Sequence, residues 1–195
     1  MASRALSTTL IQRILPAPRQ RSALRAALQV VVGVAFLAAL AQVRIQLGPV
    51  PFTGQTLGVL LVGTAYGLGL GTLTTAAYVG LATLGLPLFT GWQGGLAHLM
   101  GPTGGYLIGF VVASALLGWL AEWGWDRSYV RTVGAMVLAE VAIYVPGLLW
   151  LHGVLGGSWG QTLTLGLVPF LIGDAIKMLL AVGLLPSTWR ALGER

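Results

Sequence analysis

Residues 55–87 read QTLGVLLVGTAYGLGLGTLTTAAYVGLATLGLP and contain no charged side chain. They lie within a longer interval, between Arg44 and Glu122, in which 77 consecutive residues include no Asp, Glu, Lys or Arg. A helix that crosses a membrane needs about 20 mostly apolar residues, so this interval is long enough for roughly three spans and their connections. A water-facing surface cannot be built from such a stretch. It therefore predicts an integral membrane protein.

The composition of the whole chain supports the same fold class. Of its 195 residues, 56% are hydrophobic and only 8% are charged, whereas about a quarter of the residues in a soluble domain are charged. Because backbone polar groups in lipid must be satisfied within the protein, the spans should be helices. The sequence thus predicts an all-α integral membrane protein with six transmembrane helices. These helices are expected near residues 26–43, 55–69, 71–87, 103–121, 131–151 and 162–186.

The arginines are distributed unevenly along the chain. Nine of the ten lie in the segments 4–25, 127–131 and 190–195, which fall on one side of a six-span protein, and only Arg44 lies on the other. Such a bias marks the cytoplasmic side, so both termini are predicted to be cytoplasmic. The net charge of +6 then reflects topology, and no nucleic-acid partner is expected. We divide the chain into a basic cytoplasmic N-terminal arm, residues 1–25, and a six-helix membrane domain, residues 26–195. An Arg-rich, acid-free leader is also typical of organelle transit peptides.

The sequence lacks the residues that several kinds of chemistry require. The chain has no cysteine, and neither His98 nor His152 belongs to a spaced metal-binding motif, so no metal site is expected. The glycine-rich stretch GPTGG, residues 101–105, is not a phosphate-binding loop, because Lys177 is the chain's one lysine and lies far from it. Neither an enzyme nor a cofactor is therefore expected.

Two opposite charges are embedded in the last predicted helix, in the stretch LIGDAIKM, residues 171–178. Asp174 and Lys177 are three residues apart, so both project from one helix face. Charges at membrane depth are costly and usually mark a path for substrate or ions. The alternative is a structural ion pair, but replacing such a pair with apolar residues often costs little. The spacing favours a ligand that offers N–H donors beside a carbonyl acceptor, such as an amide, a urea or a nucleobase edge.

A second pair of polar residues shares one face of the fifth predicted helix. Glu140 and Tyr144 are four residues apart, and either could line the same cavity or pack inside the bundle. Glu140 could also pair with Lys177 or stay protonated. The sequence is compatible both with lining of the cavity and with packing inside the bundle.

The connections at residues 44–54 and 87–105 are rich in Gly, Pro, Thr and aromatic residues and should face outward. They could form a lid over an external pocket, or simply separate helices, as Gly and Pro often do. Within the second connection, Trp92 could stack on a ligand ring and His98 could meet a ligand anion. On the first helix, Ala35 and Ala39 form a small-residue face that either packs within the bundle or docks a partner.

Five segments, in register, resemble the BioY family, the biotin-specific substrate-binding (S) component of bacterial energy-coupling factor (ECF) transporters. The resemblance covers roughly residues 30 to 185. The matching segments are GPVPFTGQTLGVLLVG (48–63), GLPLFTGWQGG (85–95), GPTGGYLIGF (101–110), AEVAIYVPGLLWL (139–151) and GDAIK (173–177).

The resemblance implies a six-helix bundle, in the bacterial cell (inner) membrane, that captures biotin from outside. A coupling transmembrane subunit and two ABC-type ATPases would then drive its passage across the lipid bilayer. Asp174 and Lys177 fall on the family's positions for the ureido ring of biotin, while Gln55 and Tyr106 are implied as pocket residues. The face at Ala35 and Ala39 resembles the family's docking surface for the coupling subunit.

Other functions are also compatible with these residues. One is a self-sufficient, proton-coupled secondary carrier of a small polar vitamin-like solute, which would use Glu140, Asp174 and Lys177 as a relay. Another is a purely structural membrane scaffold.

Overall fold

The computed structural model describes residues 8–15 and 22–193 of the chain. Four arginines of the predicted basic segments, at positions 4, 19, 21 and 195, lie outside the described residues. The elements are α1 (Leu10–Ile14), α2 (Ser22–Gln42), β1 (Arg44–Gln46), β2 (Pro51–Thr53), α3 (Gln55–Thr83), α4 (Leu96–Leu99), α5 (Gly104–Glu122), α6 (Tyr129–Leu155), α7 (Trp159–Gly166) and α8 (Leu171–Ala191).

The predicted all-helical class is confirmed. Within residues 8–15 and 22–193, five helices are long and apolar enough to cross a membrane, namely α2, α3, α5, α6 and α8. Their outer faces are apolar: Val137, Val141 and Val145 follow one another at four-residue intervals along α6 and are all exposed. A stripe of this kind suits contact with lipid rather than water.

Helix α3 is not straight, because it reverses direction at Gly67. The backbone of Gly67 has φ 79° and ψ 179°, which no helix contains. The side-chain amide of Gln55 donates a hydrogen bond of 2.6 Å to the hydroxyl of Tyr78. In a continuous helix these residues would be about 35 Å apart. The two arms of α3, residues 55–66 and 68–83, therefore lie antiparallel.

The arms match the predicted helices near 55–69 and 71–87, although the turn falls at Gly67 and the second arm ends at Thr83. At 1.5 Å per residue the arms are about 18 and 24 Å long, against about 30 Å for the hydrocarbon core of a bilayer. Six membrane-spanning helices therefore stay a prediction.

The prediction of one helix over 162–186 is wrong. The chain forms two helices here, α7 and α8, with a non-helical connection between Gly166 and Leu171. Pro169 lies in this connection; its ring lacks an N–H and disfavours helical geometry in the preceding residue. Because of this break, α8 begins at Leu171, three residues before Asp174, and continues to Ala191.

Glycines allow α3, α5 and α6 to pack closely. A Cβ atom at Gly63 of α3 would lie 2.9 Å from the Cα of Ser114 on α5, and one at Gly109 of α5 would lie 2.8 Å from the Cα of Ile143 on α6. Helices in lipid associate through such close packing. The hairpin β1–β2, the loop containing α4 and the α7–α8 connection gather at one end of this bundle, which we call the hairpin end.

The opposite end holds the reversal of α3, the α5–α6 turn and the N-terminal segment. Short helix α1, which the sequence analysis did not predict, packs here: Thr9 is buried and lies against Gly67. Nearby, the indole N–H of Trp189 donates a 2.6 Å hydrogen bond to the carboxylate of Asp126. We call this the turn end.

Candidate functional site

A cavity opens at the hairpin end, between β2, α3, α5, α6 and α8. It contains about 570 Å³ of free space, a figure that includes the solvent at its open mouth. We call it the inner cavity. Six of the eight predicted ligand-binding residues line it: Gln55, His98, Tyr106, Tyr144, Asp174 and Lys177.

Asp174 and Lys177 form a buried ion pair at the wall of the inner cavity. The ammonium of Lys177 donates to Oδ1 of Asp174 at 2.9 Å, and the two residues are only 8% and 6% exposed, respectively. The hydroxyl of Tyr144 donates to the other oxygen, Oδ2. Lys177 also lies 3.9 Å from the centre of the Phe52 ring, a cation–π contact that strengthens when water is excluded.

The start of α8 positions this pair. Asp174 lies in the first turn of the helix, where the positive end of the helix dipole stabilises a carboxylate. Its backbone N–H bonds to the carbonyl of Phe170 at 2.8 Å, and the Phe170 ring stacks on Phe52 with 6.2 Å between centroids. Gly173 leaves room for Phe52, since a side chain there would meet its ring.

Gln55 holds the two outer connections together. Its Oε1 accepts hydrogen bonds from the hydroxyls of Thr53, at 2.9 Å, and Thr90, at 3.2 Å. Both threonines line the inner cavity, and sequence reasoning missed both. A signal was present, because each belongs to a repeated Phe-Thr-Gly motif, at residues 52–54 and 89–91.

Tyr106 forms the wall next to α6 and α7. Its hydroxyl donates a 2.8 Å hydrogen bond to the carbonyl of Gly166, and its ring meets that of Tyr144 edge-on, with 6.2 Å between centroids. Gly147 of α6 leaves space for the Tyr106 ring. The two tyrosines thus give the cavity a rigid aromatic side.

A second, more open cavity adjoins the first on its outer side. Thr90, His98 and Thr103 border both, and Arg44 lies in the wall of this outer cavity. The ring of His98 stacks on Phe89 at 4.7 Å, and its Nδ1 lies 2.8 Å from Oε1 of Gln93. Burial lowers the pKa of His98, which favours the neutral imidazole at neutral pH.

Two predicted ligand-binding residues, Trp92 and Glu140, do not line the inner cavity. Trp92 is 64% exposed and has a left-handed φ of 58°. Glu140 is 7% exposed, and neither carboxyl oxygen has a hydrogen-bond partner among residues 8–15 and 22–193.

The small residues of α2 divide between two faces. Gly33 and Ala38 face the bundle, and a Cβ at Gly33 would lie 2.5 Å from Cγ2 of Thr74. Ala35 and Ala39 point away from it and are exposed. In the described part of the chain, this face therefore does not pack within the bundle, which was one of its two predicted uses.

Comparisons with known proteins agree with this architecture. The sequence model of the BioY family matches residues 12–194. The probable biotin transporter BioY of Pyrococcus horikoshii is 37% identical over 73% of this chain and 82% of its own length. The biotin transporter BioY of Thermotoga maritima is 38% identical over 72% and 82%.

The fold also matches a crystal structure of the S-component for biotin from an ECF-type ABC transporter. The TM-score is 0.79 at 26% sequence identity, and the match covers 89% of this chain and 95% of the other. These relatives are transporters rather than enzymes, and their names imply a transported substrate rather than a cofactor. From the match along nearly its whole length, the chain belongs to the BioY family.

Proposed function

We propose that this chain is the substrate-binding subunit of an ATP-driven ECF transporter, which captures biotin from outside and delivers it across the bacterial inner membrane. The observation that carries the proposal is the buried Asp174–Lys177 pair at the wall of the inner cavity. Support for biotin as the ligand comes from the relatives named above.

The ureido ring of biotin has two N–H donors and one carbonyl oxygen, which complement a carboxylate and an ammonium. In the ligand-free cavity Asp174 accepts one hydrogen bond on each oxygen, from Lys177 and from Tyr144. A carboxylate offers about four acceptor positions, so ureido N–H groups can bind without displacing either donor. Lys177 retains N–H groups for the ureido carbonyl. The apolar side chains of Phe170 and Ile143 suit the thioether ring and the carbon chain.

In this proposal the carboxylate of biotin extends towards the outer cavity. Arg44 and His98 border that cavity and are the candidate donors. Because a neutral imidazole donates only one hydrogen bond, Arg44 would carry most of the charge recognition. Gln55 and Tyr106 act mainly by fixing the walls, since their polar groups are already bonded to other protein atoms.

In the membrane, the two arms of α3 count as separate spans and give six in all. The antiparallel geometry of the arms supports this topology. The hairpin end then faces outward, as capture from outside requires, while the turn end and both chain termini face the cytoplasm. Residues 1–25 form the basic arm and residues 26–195 the membrane domain; helix α2 begins within the arm, at Ser22.

The match to the S-component of an ECF-type ABC transporter supports the partners in this proposal. This chain contains no ATP-binding motif, so the energy would come from two ABC-type ATPases joined through a coupling transmembrane subunit. The exposed face of α2 at Ala35 and Ala39 would dock that subunit, because small residues permit close helix contact in lipid.

Isothermal titration of detergent-purified protein with biotin tests the ligand assignment. The wild-type protein should bind saturably, and Asp174→Asn and Lys177→Ala should each lose binding. Asp126→Asn is the matched control, because it neutralises a buried carboxylate at the turn end and should leave affinity unchanged. No heat and no competition with labelled biotin would remove the proposal.

The alternative of a self-sufficient proton-coupled carrier is favoured by one observation, the buried carboxyl of Glu140 close to the ion pair. Liposomes that hold only this chain separate the two functions. Accumulation of biotin driven by a pH gradient would identify a carrier, whereas binding without accumulation would identify a subunit that needs partners.

A further inference from the structure

The strongest unexplained feature outside the inner cavity is the carboxyl group of Glu140. It lies within the 27-residue helix α6, one turn before Tyr144, and is more than nine-tenths buried. Within the part of the chain that the structure describes, neither oxygen has a hydrogen-bond partner, although buried polar groups are nearly always bonded. The ligand-binding scheme described above leaves this group without a role.

The charged groups that act on Glu140 are those of the ligand-binding pair. Asp174 on α8 pairs with Lys177 and accepts a hydrogen bond from Tyr144, which lies one turn after Glu140 on α6. Both charged groups of the pair therefore lie near Glu140. Helix α5 contributes the Tyr106 hydroxyl, which is bonded to Gly166. Residues 45–121 contain no Asp, Glu, Lys or Arg, so α3 adds no such group, and α5 carries only its terminal glutamate. The one histidine of this interval, His98, borders the inner cavity from the α4 loop.

The charge balance of this cluster is uneven. Two carboxyl groups, Glu140 and Asp174, share a single ammonium, that of Lys177, and the structure pairs the ammonium with Asp174. A buried carboxylate without a partner is far more costly in free energy than a buried neutral polar group. The arrangement is therefore consistent with a proton on Glu140.

We propose that Glu140 is a proton-binding site that controls the affinity of the inner cavity for its ligand; this rests on the proposed function. With the proton bound, Lys177 has one anionic partner and keeps donors for the ligand carbonyl. When the proton leaves for bulk water, a second carboxylate competes for Lys177. The Lys177 ammonium then has fewer N–H groups for the ligand carbonyl. The Asp174–Lys177 pair also loses the geometry that the ureido ring needs.

The direction of the linkage follows from this competition. The protonated protein binds ligand more tightly, so binding holds the proton in place and affinity falls as pH rises. The fall can reach about tenfold per pH unit in the range where the ligand-free protein releases one proton. Across a membrane with an acidic exterior and a more alkaline interior, such a site favours capture outside and release inside.

The test measures biotin affinity of the full chain in a series of buffers from mildly acidic to alkaline pH. Wild-type affinity should fall with pH, with a logarithmic slope approaching −1 per unit for one linked proton. Glu140→Gln resembles the neutral acid, so it should keep the acidic-pH affinity and show a flat profile over the same range. Glu122→Gln, which removes a carboxylate at the turn end, should retain the wild-type slope.

A wild-type profile without slope, or a Glu140→Gln profile that follows the wild type, would overturn the inference. Infrared spectroscopy of the ligand-free protein gives a readout that does not depend on biotin. The wild type should show the C=O stretch of a protonated carboxyl group that Glu140→Gln lacks, and absence of that difference would also overturn the inference. If biotin does not bind at all, the proposed function fails while the infrared comparison still decides the protonation of Glu140.

Discussion

Replacement of Gly67 by alanine tests the reversal of α3, on which the arrangement of the whole bundle depends. Gly67 has φ 79° and ψ 179°, a region that is open essentially to glycine alone. Its substitution should destabilise the fold without touching the inner cavity, which lies at the other end of the bundle.

The magnitude comes from two effects. Holding a residue with a side chain in such a conformation costs about 1–3 kcal/mol. In addition, the new Cβ atom would lie 2.5 Å from Cγ2 of Thr9 and 2.9 Å from Oε1 of Glu122, so α1 must also shift. For a domain of this size the backbone cost alone corresponds to a melting temperature lower by about 2–12 °C.

Thermal unfolding of the purified variants in detergent is the assay, and Gly69→Ala is the matched control. A Cβ at Gly69 meets no atom of the described residues within 4 Å, and alanine is favoured over glycine in a helix by up to about 1 kcal/mol. Gly69→Ala should therefore melt at or slightly above the wild-type temperature. Equal melting temperatures for Gly67→Ala and Gly69→Ala would refute the reversal and favour a continuous α3.

Three further substitutions have defined outcomes in the same melting assay. Tyr106→Phe removes the 2.8 Å hydrogen bond to the carbonyl of Gly166 and should lower the free energy of unfolding by about 0.5–1.5 kcal/mol. An unchanged melting temperature would show that this bond does not stabilise the fold. Trp189→Phe removes the hydrogen bond to the carboxylate of Asp126 and should lower the free energy of unfolding by about 1.5–3 kcal/mol. Biotin affinity should stay constant, and a parallel loss of affinity would contradict the separation of the hairpin end from the turn end. Gly118→Ala would press a methyl group against the backbone of the α3 reversal and should destabilise the protein by about 1–3 kcal/mol, whereas a neutral effect would argue against the close packing of α3 and α5.

Much of the helical architecture could be predicted from hydropathy, because a chain in lipid must place long apolar runs in helices. The misplaced boundaries have local causes. The turn at Gly67 depends on one backbone conformation within a run of several glycines, and nothing in the sequence distinguishes it from Gly69 or Gly71. Pro169 indicates the break before α8, but its neighbours are apolar, so hydropathy predicts one continuous helix there.

The site was partly predictable for a related reason. Asp174 and Lys177 are conspicuous because charges are rare at membrane depth, and helical spacing places both on one face. Thr53 and Thr90 lack a charge that would single them out, since a hydroxyl group is inexpensive in many settings, and only the repeated Phe-Thr-Gly motif marks them. Their role depends on a contact between two loops that are distant in sequence. Trp92 has a left-handed backbone and a largely exposed side chain, neither of which its residue type reveals.

The most direct test of the central claim, that the Asp174–Lys177 pair holds the ureido ring, is an experimental structure of the protein with biotin bound. The account predicts a ureido N–H on the Asp174 carboxylate and the ureido oxygen at about 2.7–3.2 Å from Nζ of Lys177. A biotin molecule seated only in the outer cavity, with the ion pair unchanged and out of reach, would contradict it.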